Sequence, residues 1–287
     1  MSMTHQVQNL LQIISHHQGN KLIVNTIFAN SLFDITLQEL DDYVFIDHKT
    51  IKSKDLSYGA TLINNPIAFA NDISYIKNMY SNKIVLMHEN IFSGLKKEDQ
   101  YLLFTSIKDY TIFSFIPNIP LQNNNVNYIK YGFKSNISQL AADRNTDVLV
   151  LYNNDQRQAE MLFQMVKGVI PNSEIVNIKN IQSIDMMNNL FNNTKVCIDL
   201  SSYYNTLYSV SCGCFGITKS ESYDPNFITT IHDVTSLLPL LQQILSSYND
   251  NYIYGAQKYI ESNYDYATYE SNMKAIIEQI SNSAIIP

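Results

Sequence analysis

The sequence predicts an α/β protein of two similar domains, each with its own parallel sheet. Short apolar, β-branched segments alternate with segments of helical character, as expected when helices cover both faces of a parallel sheet. A polar segment at residues 134–146 lacks a sustained apolar pattern and leads into a new strand, which is typical of a linker. We therefore predict domains at 1–134 and 135–265, followed by a C-terminal helix, 266–287, that packs back towards the first domain.

Five apolar segments are predicted strands of the first domain, and one further segment closes it. A helix at residues 5–16 precedes them, because the apolar residues of that segment recur at helical spacing. Pro66 marks the start of a later helix. The strands are Lys21–Asn25, Tyr43–Asp47, Ala60–Asn64, Lys83–Met87 and Thr111–Phe115, and the closing segment is Val126–Phe133.

The second domain is predicted from the same alternation. Asp233 caps a helix that holds Pro239 in its first turns, and residues 264–280 have the spacing of a further amphipathic helix. The other elements are strands Asp147–Tyr152, Glu174–Ile178 and Phe227–Ile231, and helices Gln156–Gly168 and Ile184–Phe191.

Composition and charge restrict the class of protein. With 45% hydrophobic and 16% charged residues, the 287-residue chain has the balance of a soluble globular protein. Its net charge of −7 argues against a protein whose main task is to coat nucleic acid, although a local basic groove stays open. No apolar run is long enough for a signal peptide or a spanning helix, so we expect no transmembrane segment and a cytoplasmic location.

Residues 195–218 organise the second domain. They are predicted to form a buried strand, a polar loop, a short helix that ends at Gly213, and a second buried strand. This arrangement sets Asn205 and Thr206 at a helix start beyond the carboxyl end of a parallel strand. Open α/β sheets bind phosphorylated ligands at such places, because free helix N–H groups and the helix dipole favour anions.

All three cysteines, Cys197, Cys212 and Cys214, fall in this segment. An odd number without a secretory sequence indicates reduced thiols. A metal site would need more cysteine or histidine at ligand spacing than one C-x-C supplies. We therefore predict small buried residues on a strand and at a tight helix end, with no metal site and no cofactor.

The segment Asn205–Cys214, NTLYSVSCGC, resembles an element of GT-B nucleotide-sugar glycosyltransferases, in which an Asn-Thr pair opens a helix that ends at Cys-Gly. The chain is similar to that family over nearly all its length, and most of all to its retaining, family-4-like group. The resemblance implies two Rossmann-like domains that face each other across a cleft. It also implies a glycosyltransferase that moves a sugar from a nucleoside-diphosphate sugar, such as a UDP-sugar, to an acceptor hydroxyl.

Donor binding is implied for the second domain. Arg157 follows its first strand, where the family places a basic residue on the donor phosphates, and a guanidinium suits a diphosphate. Tyr208 stands where the family has a glutamate that binds ribose hydroxyls, and a phenol cannot make the paired contact of a carboxylate. The residues that the resemblance assigns to the donor are Arg157, Ser202, Tyr204, Asn205, Thr206, Tyr208 and Lys219.

Catalysis and acceptor binding are implied for the first domain. His88 and Glu89 follow a predicted strand as a His-Glu pair does in family members, and the histidine is a candidate contact to the sugar or its phosphate, or a base toward the acceptor hydroxyl. Asn90 follows that pair, and Asn25 and Thr26 follow the first strand; these three are the predicted acceptor-binding residues. Because no D-x-D motif lies in a plausible metal position, we expect metal-independent stabilisation of the leaving diphosphate.

The acceptor stays open at this point. A glycan or lipid hydroxyl is favoured, and a modified DNA base is the alternative, as in phage glycosyltransferases of this fold. A further alternative is a two-domain nucleotide- or sugar-binding protein without catalysis, which the tyrosine at position 208 suggests. Salt-sensitive binding to duplex DNA would favour the DNA enzyme, and stabilisation by nucleotides without transfer would favour the binding protein.

Overall fold

The structure, a computed structural model, describes the second half of the chain almost completely and six strands of the first half. The described residues are 22–27, 36, 43–47, 60–63, 84–87, 111–115, 126–153, 155–200, 202–219, 227–231 and 233–283. Among them no helix is long and apolar enough to cross a membrane. The predicted helix at residues 5–16 lies outside this set.

The first half of the chain contributes a six-stranded sheet. Its strands are β1 (Leu22–Ile27), β2 (Tyr43–Asp47), β3 (Ala60–Ile63), β4 (Ile84–Met87), β5 (Thr111–Ser114) and β6 (Val126–Tyr128). They lie in the order β2-β1-β3-β4-β5-β6, and every pairing is parallel. The predicted parallel sheet is therefore confirmed for this half.

The first sheet departs from the predicted segments by more than one residue at β1 and at β6. β1 runs two residues further, because its last residue, Ile27, still pairs with Ile63 of β3. β6 covers only the first three residues of the closing segment Val126–Phe133, because the chain then leaves the sheet and Phe133 forms a bridge with Asp265.

The second half forms a five-stranded sheet with helices between its strands. The strands are β7 (Thr146–Tyr152), β8 (Ser173–Asn177), β9 (Thr194–Asp199), β10 (Phe215–Thr218) and β11 (Ile228–Thr230). The helices are α1 (Gln156–Lys167), α2 (Ile184–Asn192), α3 (Tyr203–Ser211), α4 (Leu237–Ser247), α5 (Asp250–Asn263) and α6 (Tyr266–Ser283). The strand order is β11-β10-β9-β7-β8, again with parallel pairing throughout, so the predicted α/β class is confirmed.

The core of this second sheet explains why its central strands read as continuous apolar runs. Val148, Val150 and Ile198 on β7 and β9 are no more than 1% exposed. They share one cluster with Leu162 of α1 and Leu241 of α4. Full burial of each such side chain stabilises the folded state by roughly 1.5–3 kcal/mol. These helices and strands therefore hold the ends of the loops at the sheet edge in place.

One helix of the second half, α5, is missing from the sequence prediction. Asn249 caps it by accepting a hydrogen bond from Tyr252 N at 3.2 Å. Ile253, Ala256 and Ile260 are fully buried at spacings of three and four residues. The cap and the apolar spacing were both present in the sequence, but the intervening tyrosines obscured the pattern.

The chain divides into two compact units. The first contains β1 to β6 together with residues 270–287, and the second contains residues 131–269. Helix α6 therefore begins in the second unit and continues into the first.

The two segments that lead into and out of the second unit lie side by side within it. Phe133 and Asp265 form a parallel bridge, and Phe133 N donates to Tyr264 O at 3.0 Å. Gly132 has no room for a side chain, because a Cβ there would lie 2.2 Å from the Cβ of Tyr269. The entry and the exit of this unit are therefore tied to each other.

Candidate functional site

The strand order of the second sheet locates a candidate site. From β7 the chain moves to the edge at β8 and then returns past β7 to β9, so the direction of the connections reverses between β7 and β9. In open α/β sheets, ligands bind in the crevice beyond the carboxyl ends of the two strands at such a point. Leu151 of β7 pairs with Asp199, the last residue of β9, so the two strands end nearly level.

The turn from β9 to α3 is held by Asp199 and Ser202. One carboxylate oxygen of Asp199 accepts a hydrogen bond from Ser202 N at 3.0 Å. Ser202 caps α3, because its Oγ accepts from Asn205 N at 3.2 Å. Both Asp199 and Ser202 are buried. The helix thus begins where the sequence predicted, beyond the carboxyl end of a central parallel strand.

Asn205 and Thr206, the predicted donor-binding pair, have their side-chain donors engaged inside the second unit. Asn205 Nδ2 donates to Asp199 Oδ2 at 2.7 Å, and Thr206 Oγ1 donates to Ser202 O at 3.0 Å. Both residues are no more than 1% exposed. Thr206 also covers Gly216, where a Cβ would lie 2.5 Å from the threonine methyl carbon. A direct contact of this pair with a diphosphate stays a prediction.

Tyr204 and Tyr208 belong to a buried aromatic cluster. Their rings contact that of Phe133 at centroid distances of 5.3 and 5.7 Å, and Tyr204 meets Tyr131 edge-on at 4.9 Å. Tyr208 Oη donates to Asn188 Oδ1 at 3.0 Å. Since aromatic pairs contribute roughly 0.5–1.5 kcal/mol beyond their buried area, both tyrosines stabilise the second unit. Their role in donor binding is a prediction.

Two cations stand at the same edge of the sheet. Arg157 is the second residue of α1, which follows β7, and Lys219 directly follows β10. Both side chains are exposed, and neither has an ion-pair partner within the part of the chain that the structure describes. In the strand order, β7 and β10 lie on either side of β9. Positive charge is therefore available on both sides of the start of α3.

The predicted site residues of the first domain are placed only in part. Asn25 and Thr26 lie within β1 rather than in the loop after it, because β1 pairs with β2 and β3 over these positions. His88, Glu89 and Asn90 follow β4 in the sequence and lie outside the described residues. The acceptor-binding and catalytic roles of all five stay predictions.

Two buried charged residues at the ends of α3 were missed by the sequence prediction. Asp199 holds the start of the helix, and an aspartate between a buried strand and a serine cap was a signal that the sequence offered. Arg144 holds the end, where its Nη2 donates to Cys212 O at 2.7 Å. Its guanidinium donates over 2.7–3.2 Å to four carbonyl oxygens, those of Gln139, Phe191, Thr194 and Cys212. No sequence pattern indicates that this arginine is buried.

The three cysteines are buried free thiols, as predicted. Cys214 Sγ donates to Phe191 O at 3.1 Å, and burial raises the pKa of Cys214 to about 12. Burial likewise raises the pKa of Cys197 and of Cys212. These thiols therefore stay protonated and unreactive at neutral pH. Among the described residues, no three His, Cys, Asp or Glu side chains are grouped as a metal site requires.

Because burial raises the pKa of Cys214, we expect the free energy of unfolding to fall at high pH. The folded chain keeps a proton on Cys214 up to a pKa of about 12, whereas the unfolded thiol releases it near 9.0. The free energy of unfolding should therefore hold up to about pH 9 and fall above it, by up to ~1.4 kcal/mol per pH unit for this thiol. Urea unfolding between pH 7 and pH 11 measures this slope. The Cys214→Ala variant should lose less stability over that interval, and equal slopes for both proteins would contradict the prediction.

Comparison with known proteins finds a likeness of fold but no match by sequence. No protein-family model matches the sequence, and no curated protein matches it either. The crystal structure of Anabaena Alr3699/HepE in complex with UDP aligns with 90% of this chain and 100% of its own, with a TM-score of 0.59 and 10% identity. The chain has the fold of HepE. A glycosyltransferase from Rickettsia africae ESF-5 aligns with 91% of this chain and 99% of its own, with a TM-score of 0.46 and 11% identity.

The likeness to HepE concerns the fold, and at that level it agrees with the resemblance that the sequence predicts. The alignment covers the whole of HepE, so both halves of this chain take part in it. At 10% identity, this alignment supports a shared fold but does not assign site residues to this chain. The family-4-like subgroup is untested and stays a prediction.

Proposed function

We propose that the protein is a glycosyltransferase that takes its sugar from a UDP-sugar bound at the carboxyl edge of the second sheet. The observation that carries the proposal is the reversal of connections between β7 and β9, with exposed Arg157 and Lys219 on either side of the start of α3. A helix start and flanking cations suit a diphosphate. The same fold holds UDP in the HepE crystal structure, which supports UDP as the nucleotide here.

In this proposal the two halves of the chain divide the work. The second unit holds the donor, and Asn25, Thr26, His88, Glu89 and Asn90 in the first provide acceptor binding and the base. The acceptor is a glycan or lipid hydroxyl, because the net charge of −7 does not favour duplex DNA. The leaving diphosphate is stabilised by helix N–H groups and a cation, and transfer should therefore survive EDTA.

Thermal unfolding with a panel of nucleotides and nucleotide sugars tests the proposal. A ligand at 100 times its dissociation constant stabilises the folded state by about 2.7 kcal/mol, so UDP should raise the midpoint measurably and other nucleoside diphosphates should do so less. Release of UDP from a UDP-sugar in the presence of a glycan or lipid acceptor then tests transfer. No response to any nucleotide would refute the proposal, and stabilisation without transfer to any acceptor would favour the binding protein without catalysis.

Removal of the guanidinium at Arg157 should weaken UDP binding. A charge-assisted hydrogen bond contributes roughly 1.5–3 kcal/mol, and because this side chain is exposed we expect the low end, about a tenfold rise in Kd for Arg157→Gln. Calorimetric titration of UDP measures it. Lys258→Gln removes an equally exposed cation from α5, far along the sequence from either strand end, and should leave the Kd unchanged. Equal affinities for the Arg157→Gln variant and the unmodified protein would exclude Arg157 from the site.

A further inference from the structure

Asn205 places a buried amide oxygen at the candidate site. Asn205 is 1% exposed, and its Oδ1 has no hydrogen-bond partner among the residues that the structure describes. A buried acceptor left unpaired destabilises the folded state, because its desolvation is not compensated by a hydrogen bond. The side chain lies in the first turn of α3 and bonds to Asp199 at the end of β9, so this destabilisation falls at the point where the connections reverse.

The orientation of the Asn205 amide follows from its neighbours. Asp199 Oδ2 is an acceptor only and takes the amide nitrogen at 2.7 Å, while Asp199 Oδ1 is held by Ser202 N at 3.0 Å. Because both oxygens of the Asp199 carboxylate accept hydrogen bonds and neither can donate one, Asp199 cannot pair with the amide oxygen of Asn205. The Asn205 nitrogen is therefore turned towards Asp199, and its oxygen is turned away.

We propose that Asn205 Oδ1 accepts a hydrogen bond from a hydroxyl of the bound donor, and that Asp199 is the positioning residue that turns the amide for this contact. The inference rests on the proposed function and changes the role of Asn205 within it. An amide oxygen repels phosphate oxygens and attracts hydroxyl groups. The buried charge of Asp199 beside it also disfavours a phosphate, so the diphosphate belongs nearer the exposed cation Arg157.

The hydroxyl has two sources in a nucleotide sugar, the ribose and the transferred sugar. Both present the same donor group to Asn205 Oδ1. Uridine and UDP contain only the ribose, whereas a UDP-sugar contains both. A change in affinity for uridine thus identifies the ribose, and a change confined to the UDP-sugar identifies the transferred sugar.

Exchanging the donor and the acceptor of the hydrogen bond between Asn205 and Asp199 tests this role. In Asp199→Asn, the new amide nitrogen faces Asn205, whose amide must turn its oxygen inward and lose the free acceptor. In Asn205→Asp, two carboxylates meet at the 2.7 Å contact. In the double variant Asp199→Asn/Asn205→Asp, Asn at position 199 donates to Asp at position 205, and the second oxygen of that carboxylate is again a free acceptor.

Calorimetric titration with uridine, UDP, UDP-glucose and inorganic pyrophosphate gives the readout. We expect each single variant to raise the Kd for UDP-glucose at least tenfold with no change for pyrophosphate, and the double variant to restore the Kd to within about threefold. Rescue is the decisive result, because a residue needed only for folding would affect pyrophosphate binding equally. Thermal unfolding of all three variants checks that each is folded; should Asn205→Asp fail to fold, Asp199→Asn and the double variant decide alone.

Three results would overturn the inference. These are an unchanged Kd for every ligand in Asp199→Asn, a loss of pyrophosphate affinity that parallels the loss for UDP-glucose, or a folded double variant that stays as weak as the single ones. Failure of the proposed function looks different, since the unmodified protein would then bind neither UDP nor UDP-glucose.

Discussion

Arg144→Met is expected to lower the free energy of unfolding by roughly 3–6 kcal/mol. The guanidinium is 3% exposed, and its two shortest hydrogen bonds, to Thr194 O and Cys212 O, are both 2.7 Å long. A hydrogen bond from a charged donor contributes roughly 1.5–3 kcal/mol, and methionine fills the space without satisfying either carbonyl. Urea unfolding at pH 7 measures the change.

The chain provides its own control for this prediction. Its only other arginine, Arg157, is exposed, so Arg157→Met should change the free energy of unfolding by no more than about 0.5 kcal/mol. Arg144→Lys should fall between the two, because an ammonium cannot reach four carbonyls from three segments at once as a planar fork does. A loss below 1 kcal/mol for Arg144→Met would show that these carbonyls find other partners.

His88→Ala is expected to slow sugar transfer by roughly 100-fold or more while the Kd for UDP stays the same. General acid–base catalysis by a positioned histidine contributes roughly 10²–10⁴-fold. His88 directly follows β4, and β4 is an inner strand of the first sheet, so the residue comes after a carboxyl strand end, where open α/β sheets hold their active sites. Initial rates of UDP release with acceptor present, together with UDP titration, separate catalysis from donor binding.

A second histidine makes a matched control. His48 follows β2 as His88 follows β4, but β2 is the edge strand of the same sheet. His48→Ala should therefore leave both the rate and the Kd unchanged. Equal losses for both variants would indicate damage to the sheet instead of a lost base, and full activity of His88→Ala would remove this residue from the mechanism.

Much of the fold was predictable because local chemistry marks most of its elements. Four of the five strands of the second sheet are short apolar runs between turn formers, and Gly213, with φ of +88°, ends α3 where a left-handed residue is needed. The order of the strands was not predictable. It depends on which distant strands pair, such as β7 with β9, and no short-range pattern encodes that choice.

The candidate site was predictable in position and less so in detail. Asn205 and Ser202 could be placed at a helix start from residue types alone, because serine and asparagine favour such positions. That the asparagine donates to Asp199, six residues earlier, follows from the path of the turn between β9 and α3. Arg144 illustrates the same limit, since its four acceptors come from three segments, at residues 139, 191–194 and 212, that meet only in the folded chain.

The bridge between Phe133 and Asp265 decides where the second unit can be cut out of the chain. A fragment of residues 135–265, cut at the boundaries that composition suggests, would lose Phe133, which bonds to Tyr264 and packs on Tyr204 and Tyr208. A fragment of residues 131–269 keeps both segments and the contact between Gly132 and Tyr269. The shorter piece should express poorly and the longer one should stay monomeric and folded, so that its binding of nucleotides can be measured by itself.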